Sequence, residues 1–346
     1  MSEIGWRGKE HLQSIKDLSQ DEIKFIVHCS EILHNYSGKG SKLDILRGHI
    51  LDMEFFEPST RTFKSTCSAM ITMGGDCLQD VTNNDSRKKG EPKLDTLIAS
   101  SQSCDIIAIR DSDSNTMNEY AKLPKRHRLV PLINCGSGSE EHPTQILGDA
   151  VAISQGCGGL EDLLALIPGD LKYGRVPHSL IYALRKFPNN RIVGFYVKDL
   201  KLPEKYKWDG YEEYDISKLS NFVKDIPRNQ KTVLYLTRVQ WERIAKERYT
   251  GFDQLSSEEK EKLRQDIQLD EYSYQLTKET VDSTPQTTRV LHPLPRGPEI
   301  SDELFLYSLD PKIAPVDQMR YCLDARMAIL GLWCGKEQEI LKLASR

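Results

Sequence analysis

The sequence predicts an α/β protein of about two domains, each built around parallel strands. Two observations carry this. Strand-like and helix-like segments alternate along most of the chain, which is the signature of βαβ units. The length, 346 residues, suits about two domains. The Gly-rich stretch Gln155–Gly159 marks the boundary.

The elements follow in order. Asp21–Leu33 has the spacing of an amphipathic helix. Ile50–Phe56 is a buried strand. Thr62–Met73 is a helix stopped by Gly74 and Gly75. Cys77–Val81 is a short strand, Leu94–Ser101 a helix, Ile106–Arg110 and Leu129–Asn134 strands, and Thr144–Ser154 a helix. In the second half, Leu163–Ile167 is an apolar strand and His178–Lys186 a helix. Arg191–Val197, Thr232–Leu236 and Val290–Pro293 are strands, and Asp324–Cys334 is the last helix. The charged segment Tyr249–Thr288 is expected to be a solvated helix with surface loops.

Composition narrows the function classes. Lys+Arg number 47 and Asp+Glu 51, a formal net charge of −4, which argues against a dedicated nucleic-acid binder. Mean hydropathy is −0.51, and no apolar run approaches the ~20 residues of a spanning helix, so no membrane partner is expected. The polar N-terminus, with Glu3, Glu10, Asp17, Asp21 and Glu22, fits neither a secretory signal nor a transit peptide, so a cytoplasmic location is expected. The eight cysteines form no CxxC and are expected to be buried free thiols in a reducing compartment.

Five motifs bear chemistry. Phe55-Phe56-Glu57-Pro58-Ser59-Thr60-Arg61-Thr62 lies where a strand ends and a helix begins. Hydroxyls and an arginine there make an anion cradle on the helix N-terminus; a plain N-cap by Ser59 or Thr60 is the equal alternative. His142-Pro143-Thr144-Gln145 opens another helix and can meet a small polar ligand, or simply cap. Gly169-Asp170-Leu171-Lys172-Tyr173-Gly174-Arg175 follows a strand, as ligand loops of parallel sheets do. It lacks GxGxxG, so nucleotide binding is unsupported. Thr237-Arg238-Val239-Gln240-Trp241-Glu242-Arg243 also follows a strand. Arg175 and Arg238 can each clamp a carboxylate, or form ordinary surface ion pairs. His292-Pro293-Leu294-Pro295-Arg296 is a double-proline loop presenting backbone carbonyls, with Leu294–Pro295 a candidate cis bond.

In this order the motifs resemble the catalytic chain of the aspartate carbamoyltransferases, within the aspartate/ornithine carbamoyltransferase superfamily. SIKDLS (Ser14–Ser19), FFEPSTRT, KKGE (Lys88–Glu91), Arg110, HPTQ, GDLKYGR, TRVQWER, HPLPR and ARMAILGL carry the resemblance across nearly the whole chain. It implies two Rossmann-like domains, each a parallel sheet flanked by helices. Residues 1–155, completed by a C-terminal helix over 320–346, would bind carbamoyl phosphate. Residues 156–319 would bind aspartate. It also implies a homotrimer with shared active sites and a reaction without metal or organic cofactor. Regulatory subunits are not readable from these motifs.

The resemblance assigns roles as well. Ser59, Thr60, Arg61 and Thr62 hold phosphate. Arg110 and His142, helped by Thr62, polarise the carbamoyl oxygen. Gln145 and the carbonyls of Pro293 and Leu294 read the carbamoyl amide. Arg175, Arg238 and Gln240 bind aspartate, with Glu242 orienting Arg238. Lys89 reaches a neighbouring subunit's site, and Arg296 serves contacts between domains.

Three departures stand out. Asp85 takes the position where the family places a phosphate-contacting serine, with Ser86 beside it. Arg110 is followed by Asp111, where the family often has His. Glu204–Leu219 matches poorly. Asp85 leaves a non-catalytic or altered-specificity paralogue as the alternative reading.

Overall fold

The computed structural model describes residues 8–38, 40, 42–79, 90–138 and 140–345. The chain divides into two compact units, Met1–Ala152 with Asp317–Arg346, and Ile153–Val316.

The first unit is built on a parallel sheet of β1 (Ile50–Phe55), β2 (Asp76–Gln79), β3 (Ile106–Asp111) and β4 (Leu132–Ser137), ordered β2-β1-β3-β4. Parallel strands covered on both faces read as continuous apolar runs, and every residue of β3 is buried. Helix Gln20–His34 opens with a complete capping box, Ser19 and Glu22 each accepting the other's backbone N–H. It buries Ile23, Ile26, Cys29 and Leu33 along one stripe.

The second unit holds β5 (Leu163–Gly169), β6 (Arg191–Tyr196), β7 (Glu212–Asp215), β8 (Lys231–Tyr235) and β9 (Thr288–Leu291). These are all parallel, in the order β7-β6-β5-β8-β9. Its core joins Leu166, Val193, Phe195, Leu234 and Val290.

The structure corrects the sequence reading in several places. Cys67 and Cys77 form a disulfide rather than two free thiols. The chain reverses at Gly74–Gly75 between helix Thr60–Thr72 and β2, bringing the two α-carbons to 5.8 Å, within disulfide reach. That turn needs glycine: Gly74 has φ +94°, and a Cβ there would meet the Leu43 carbonyl oxygen at 2.2 Å. The other six cysteines are free.

Strand β4 begins at Leu132, not Leu129: Pro131 accepts the Ile107 N–H at 2.9 Å but has no N–H to give, so the two-way ladder starts only after it. Edge strand β7 was unread: its sequence, Glu-Glu-Tyr-Asp, has the charge of a loop. Helix Thr116–Ala121 was also missed.

The final long helix spans Pro315–Trp333, starting nine residues before the expected Asp324. Helix Ser257–Arg264 is solvated as expected, but its flanks are not surface loops. Phe252, Ile267 and Tyr272 pack into a core with Val197, Val239 and Ile244.

Among the described residues no helix is long and apolar enough to cross a membrane. The disulfide yields a direct check. Thiol titration of the unfolded, unreduced chain should count six sulfhydryls, rising to eight after reduction. Eight before reduction would remove the Cys67–Cys77 bond.

Candidate active site

In the first unit the motif residues gather at the carboxyl ends of β1, β3 and β4. Phe55 is paired with Arg110, and Asp111 with Ser137. Ser59 stands at the N-cap of helix Thr60–Thr72, yet its side chain accepts no N–H from the first turn. Its hydroxyl instead donates to Thr62 Oγ1 at 3.0 Å. The first turn also carries no acidic residue. The plain N-cap reading for Ser59 therefore loses its support, and the helix start presents its positive dipole end without a side-chain cap. Thr60 and Arg61 are exposed there, and Thr62 is buried.

Arg110 is the last but one residue of β3 and is buried. Its guanidinium donates to Glu57 Oε1 at 2.6 Å and to the Cys135 carbonyl at 3.2 Å. The backbone N–H groups of Phe56 and Glu57 donate in turn to the Arg110 carbonyl, at 2.8 and 3.1 Å. Glu57 thus ties the FFEPSTRT loop to the arginine.

His142 is buried at the start of helix Pro143–Cys157, where its carbonyl accepts from the N–H of Gln145 and Ile146. The turn before it is closed by Gly138, whose N–H donates to the Asp111 carbonyl at 2.8 Å. Gln145 donates its amide to Asp149 Oδ1 at 2.9 Å, and Gln318 donates to the same oxygen at 2.7 Å. This leaves Gln145 Oε1 as the end that can accept from an NH2 group. Cys322 lies beside it, at 3.2 Å from the Gln145 amide; burial pushes its thiol up to about 12, so it stays protonated.

Asp111, the unexpected neighbour of Arg110, is already engaged. Lys93 donates to both its oxygens at 2.7 Å, and Thr116 and the Asp113 N–H donate as well. Burial raises its carboxyl, but these donors outweigh it and hold the group below its ordinary 3.8. Lys89, Asp85 and Ser86 lie outside the described residues.

In the second unit the motifs sit at the carboxyl ends of β5, β8 and β9. Asp170, fully buried, joins two of them. Its Oδ1 accepts the N–H of Lys172 at 3.0 Å and of Tyr173 at 2.9 Å. Its Oδ2 accepts the N–H of Gln240 at 2.9 Å. The Tyr274 hydroxyl bridges the same loops by donating to the carbonyls of Pro168 and Thr237.

Arg175 opens helix Arg175–Leu184 behind Gly174, again without a side-chain cap or an acidic first turn. Arg238 is held bidentately by Glu242, at 3.1 and 3.0 Å. Gln240 is the N-cap of helix Trp241–Arg248. Pro293 and Leu294 follow β9, and the Leu294–Pro295 bond is cis. Arg296, expected to serve contacts between domains, pairs with Asp302 in its own unit.

Sequence reasoning passed over Glu57 and Asp170, although both lie inside quoted motifs. An acid inside an anion-binding loop reads as unfavourable by itself, and only its partners, Arg110 for Glu57 and the Gln240 N–H for Asp170, show what it holds. No group of three or more His, Cys, Asp or Glu side chains among the described residues could hold a metal ion.

Comparison with known proteins adds a second line. Residues 10–155 match the carbamoyl-P binding domain of the aspartate/ornithine carbamoyltransferases, and residues 162–333 match their Asp/Orn binding domain. The aspartate carbamoyltransferase catalytic subunit of Archaeoglobus fulgidus is 36% identical over 322 residues, covering 93% of this chain and 98% of that one. Multifunctional protein pyr-3 of Neurospora crassa is 32% identical over 324 residues; the match covers 94% of this chain but only 16% of that protein. Among solved structures, aspartate transcarbamoylase from Trypanosoma cruzi in complex with carbamoyl phosphate superposes with a TM-score of 0.77. It is 26% identical, covering 94% of this chain and 96% of that one.

Asp170 provides the test of this geometry. Burial pushes its carboxyl up to about 7 from an ordinary 3.8, although the N–H groups of Gln240 and Lys172, then Arg243 and Arg238, pull the other way. Between those values the native chain keeps a proton that the unfolded chain has released. This stabilising contribution is therefore complete below the unfolded value and is lost as pH rises through about 7. Thermal melts between about pH 5.5 and 8 should show wild type losing more Tm than Asp170→Asn. Parallel curves would show that the group does not titrate there.

Proposed function

Because the chain belongs to the aspartate/ornithine carbamoyltransferase family, we propose that it is an aspartate carbamoyltransferase. It joins carbamoyl phosphate and L-aspartate into N-carbamoyl-L-aspartate and phosphate, an early step of pyrimidine synthesis. The observation that carries this reading is the start of helix Thr60–Thr72: a helix N-terminus with no side-chain cap, flanked by Arg61 and by hydroxyls, suits a phosphate. The relatives are aspartate carbamoyltransferases, which supports this reading and not the paralogue that Asp85 raised.

The first unit, Met1–Ala152 with Asp317–Arg346, takes carbamoyl phosphate, and the second, Ile153–Val316, takes aspartate. Ser59, Thr60, Arg61 and Thr62 hold the phosphate. Arg175 and Arg238 bind the aspartate carboxylates, with Gln240 beside them. Gln145 and the carbonyls of Pro293 and Leu294 accept from the carbamoyl NH2 group.

The aspartate amine attacks the carbamoyl carbon, a C–N bond forms, and the carbonyl pair moves onto oxygen. Arg110 and His142 stabilise that oxyanion. The pair then returns, the bond from the carbamoyl carbon to the bridging phosphate oxygen breaks, and phosphate leaves with the bonding electrons and takes the proton that the amine nitrogen gives up. No protein nucleophile takes part, so the rate comes from positioning and charge stabilisation. Glu57 and the Cys135 carbonyl hold the Arg110 guanidinium before substrate arrives, which lowers the reorganisation needed during the reaction. The chemistry calls for no cofactor. The chain works in the cytoplasm as a homotrimer, with Lys89 completing a neighbour's site.

The test is to incubate the purified chain with carbamoyl phosphate and aspartate and assay carbamoyl-aspartate. Arg61→Ala and His142→Ala should each lower turnover by about 10²-fold or more. Arg238→Ala should raise KM for aspartate more than KM for carbamoyl phosphate. Wild-type turnover in both Arg61→Ala and His142→Ala would refute the role assignment, and no product from the wild type would refute the activity.

A further inference from the structure

Beyond the residues that touch substrate in this reading, the loop after β9 contains a buried pair with no assigned work. His292 and Glu299 are each about 1% exposed, and His292 Nε2 lies 2.7 Å from Glu299 Oε1. His292 Nδ1 accepts the N–H of Leu294 at 2.9 Å. An accepting Nδ1 puts the ring proton on Nε2, which then donates to Glu299. The same Glu299 oxygen accepts the N–H of Gly297 at 2.7 Å. The pair therefore closes the loop from both ends, with Pro293, Leu294 and Pro295 between them.

The backbone between them is unusual. Leu294 has φ +57°, a left-handed conformation that a residue with a Cβ seldom adopts. Its N–H is the group that His292 receives. Gly297 packs closely here: a Cβ would lie 2.5 Å from Gln268 Nε2 and 2.8 Å from Glu299 Oε2, so a larger residue would push on the Glu299 carboxylate.

A buried polar pair adds little stability over apolar residues of the same size, so what it supplies here is geometry. We propose that His292 and Glu299 are positioning residues that fix the Pro293 and Leu294 carbonyls for the carbamoyl NH2 group. The proposal rests on the carbamoyltransferase reading.

The probe is a pair of ligands. Acetyl phosphate carries a methyl group where carbamoyl phosphate carries NH2, and so cannot donate to the two carbonyls. Calorimetric titration should find wild type preferring carbamoyl phosphate. In His292→Ala and Glu299→Ala that preference should fall about tenfold, with acetyl phosphate affinity unchanged within about twofold. Glu299→Gln should keep most of the preference, because its Oε1 still accepts from His292 and Gly297. His292→Asn covers the case in which the alanine variants do not fold. It retains an acceptor near Leu294 but is too short to reach Glu299, and an intermediate loss is expected.

Equal loss of both ligands, or an unchanged preference, in folded variants would overturn the positioning role while leaving the function intact. A wild type that makes no carbamoyl-aspartate would overturn the carbamoyltransferase reading, and this proposal with it.

Discussion

A carboxylate removed even partly from water is stabilised by pairing or hydrogen bonding, and the groups proposed to bear the chemistry are held by such carboxylates, from the fully buried Asp170 to the partly exposed Glu242. Glu57 holds Arg110 at 2.6 Å. Glu242 grips Arg238 at 3.1 and 3.0 Å. Asp149 turns the amide of Gln145, Asp170 joins the loops that carry Arg175 and Gln240, and Glu299 closes the loop of Pro293 and Leu294. In each case the acid is satisfied by the group it orients. A guanidinium on a flexible stem loses much rotamer freedom when it binds an anion. One already fixed by a carboxylate has met part of that cost during folding.

The same constraint reconciles the charge of the chain with its proposed ligands. A phosphate and a dicarboxylate need cations, but unpaired arginines crowded into one site would repel one another. Pairing Arg110 with Glu57 and Arg238 with Glu242 offsets each charge locally and keeps the remaining N–H groups aimed. A net charge of −4 is then compatible with a local anion site. Asp111 fits this pattern from the other side. It follows Arg110 in the chain, yet Lys93 and Thr116 absorb its charge, so the departure from the family's usual residue does not leave an unpaired acid beside the arginine.

Much of this was legible in the sequence because its signals are local. Apolar runs of strand length separated by helical spacing gave β1, β3, β5 and β6 nearly to the residue, and the motif loops fall directly after strands, where parallel sheets bind ligands. What escaped was either non-local or outweighed by composition. The Cys67–Cys77 bond depends on how far one tight turn folds back, which spacing alone does not reveal. Strand β7 is charged because it sits at an edge. Phe252, Ile267 and Tyr272 are diluted by the charges around them, although they belong to a core. Glu57 and Asp170 were visible as letters, but their work is defined by partners in other segments: Arg110, 53 residues away, and Gln240, 70 residues away.

The helix starts carry the argument one step further. Helices Gln20–His34 and Ser257–Arg264 each begin with a complete capping box and acids in the first turn, so their dipoles and N–H groups are answered within the chain. Helices Thr60–Thr72 and Arg175–Leu184 begin directly from motif loops and have neither a side-chain cap nor an acid in the first turn. Leaving a helix N-terminus uncapped costs about 1 kcal/mol of stability. That cost is tolerable if an anion supplies the missing charge when it binds. Helices Lys93–Ser100, Thr116–Ala121, Trp241–Arg248 and Glu337–Leu343 lack a side-chain cap but carry an acid in the first turn, which answers their dipoles in part. At the starts of Thr60–Thr72 and Arg175–Leu184, where both cap and acid are missing, the chain supplies Arg61 and Arg175, which fits sites completed by ligand rather than by the protein.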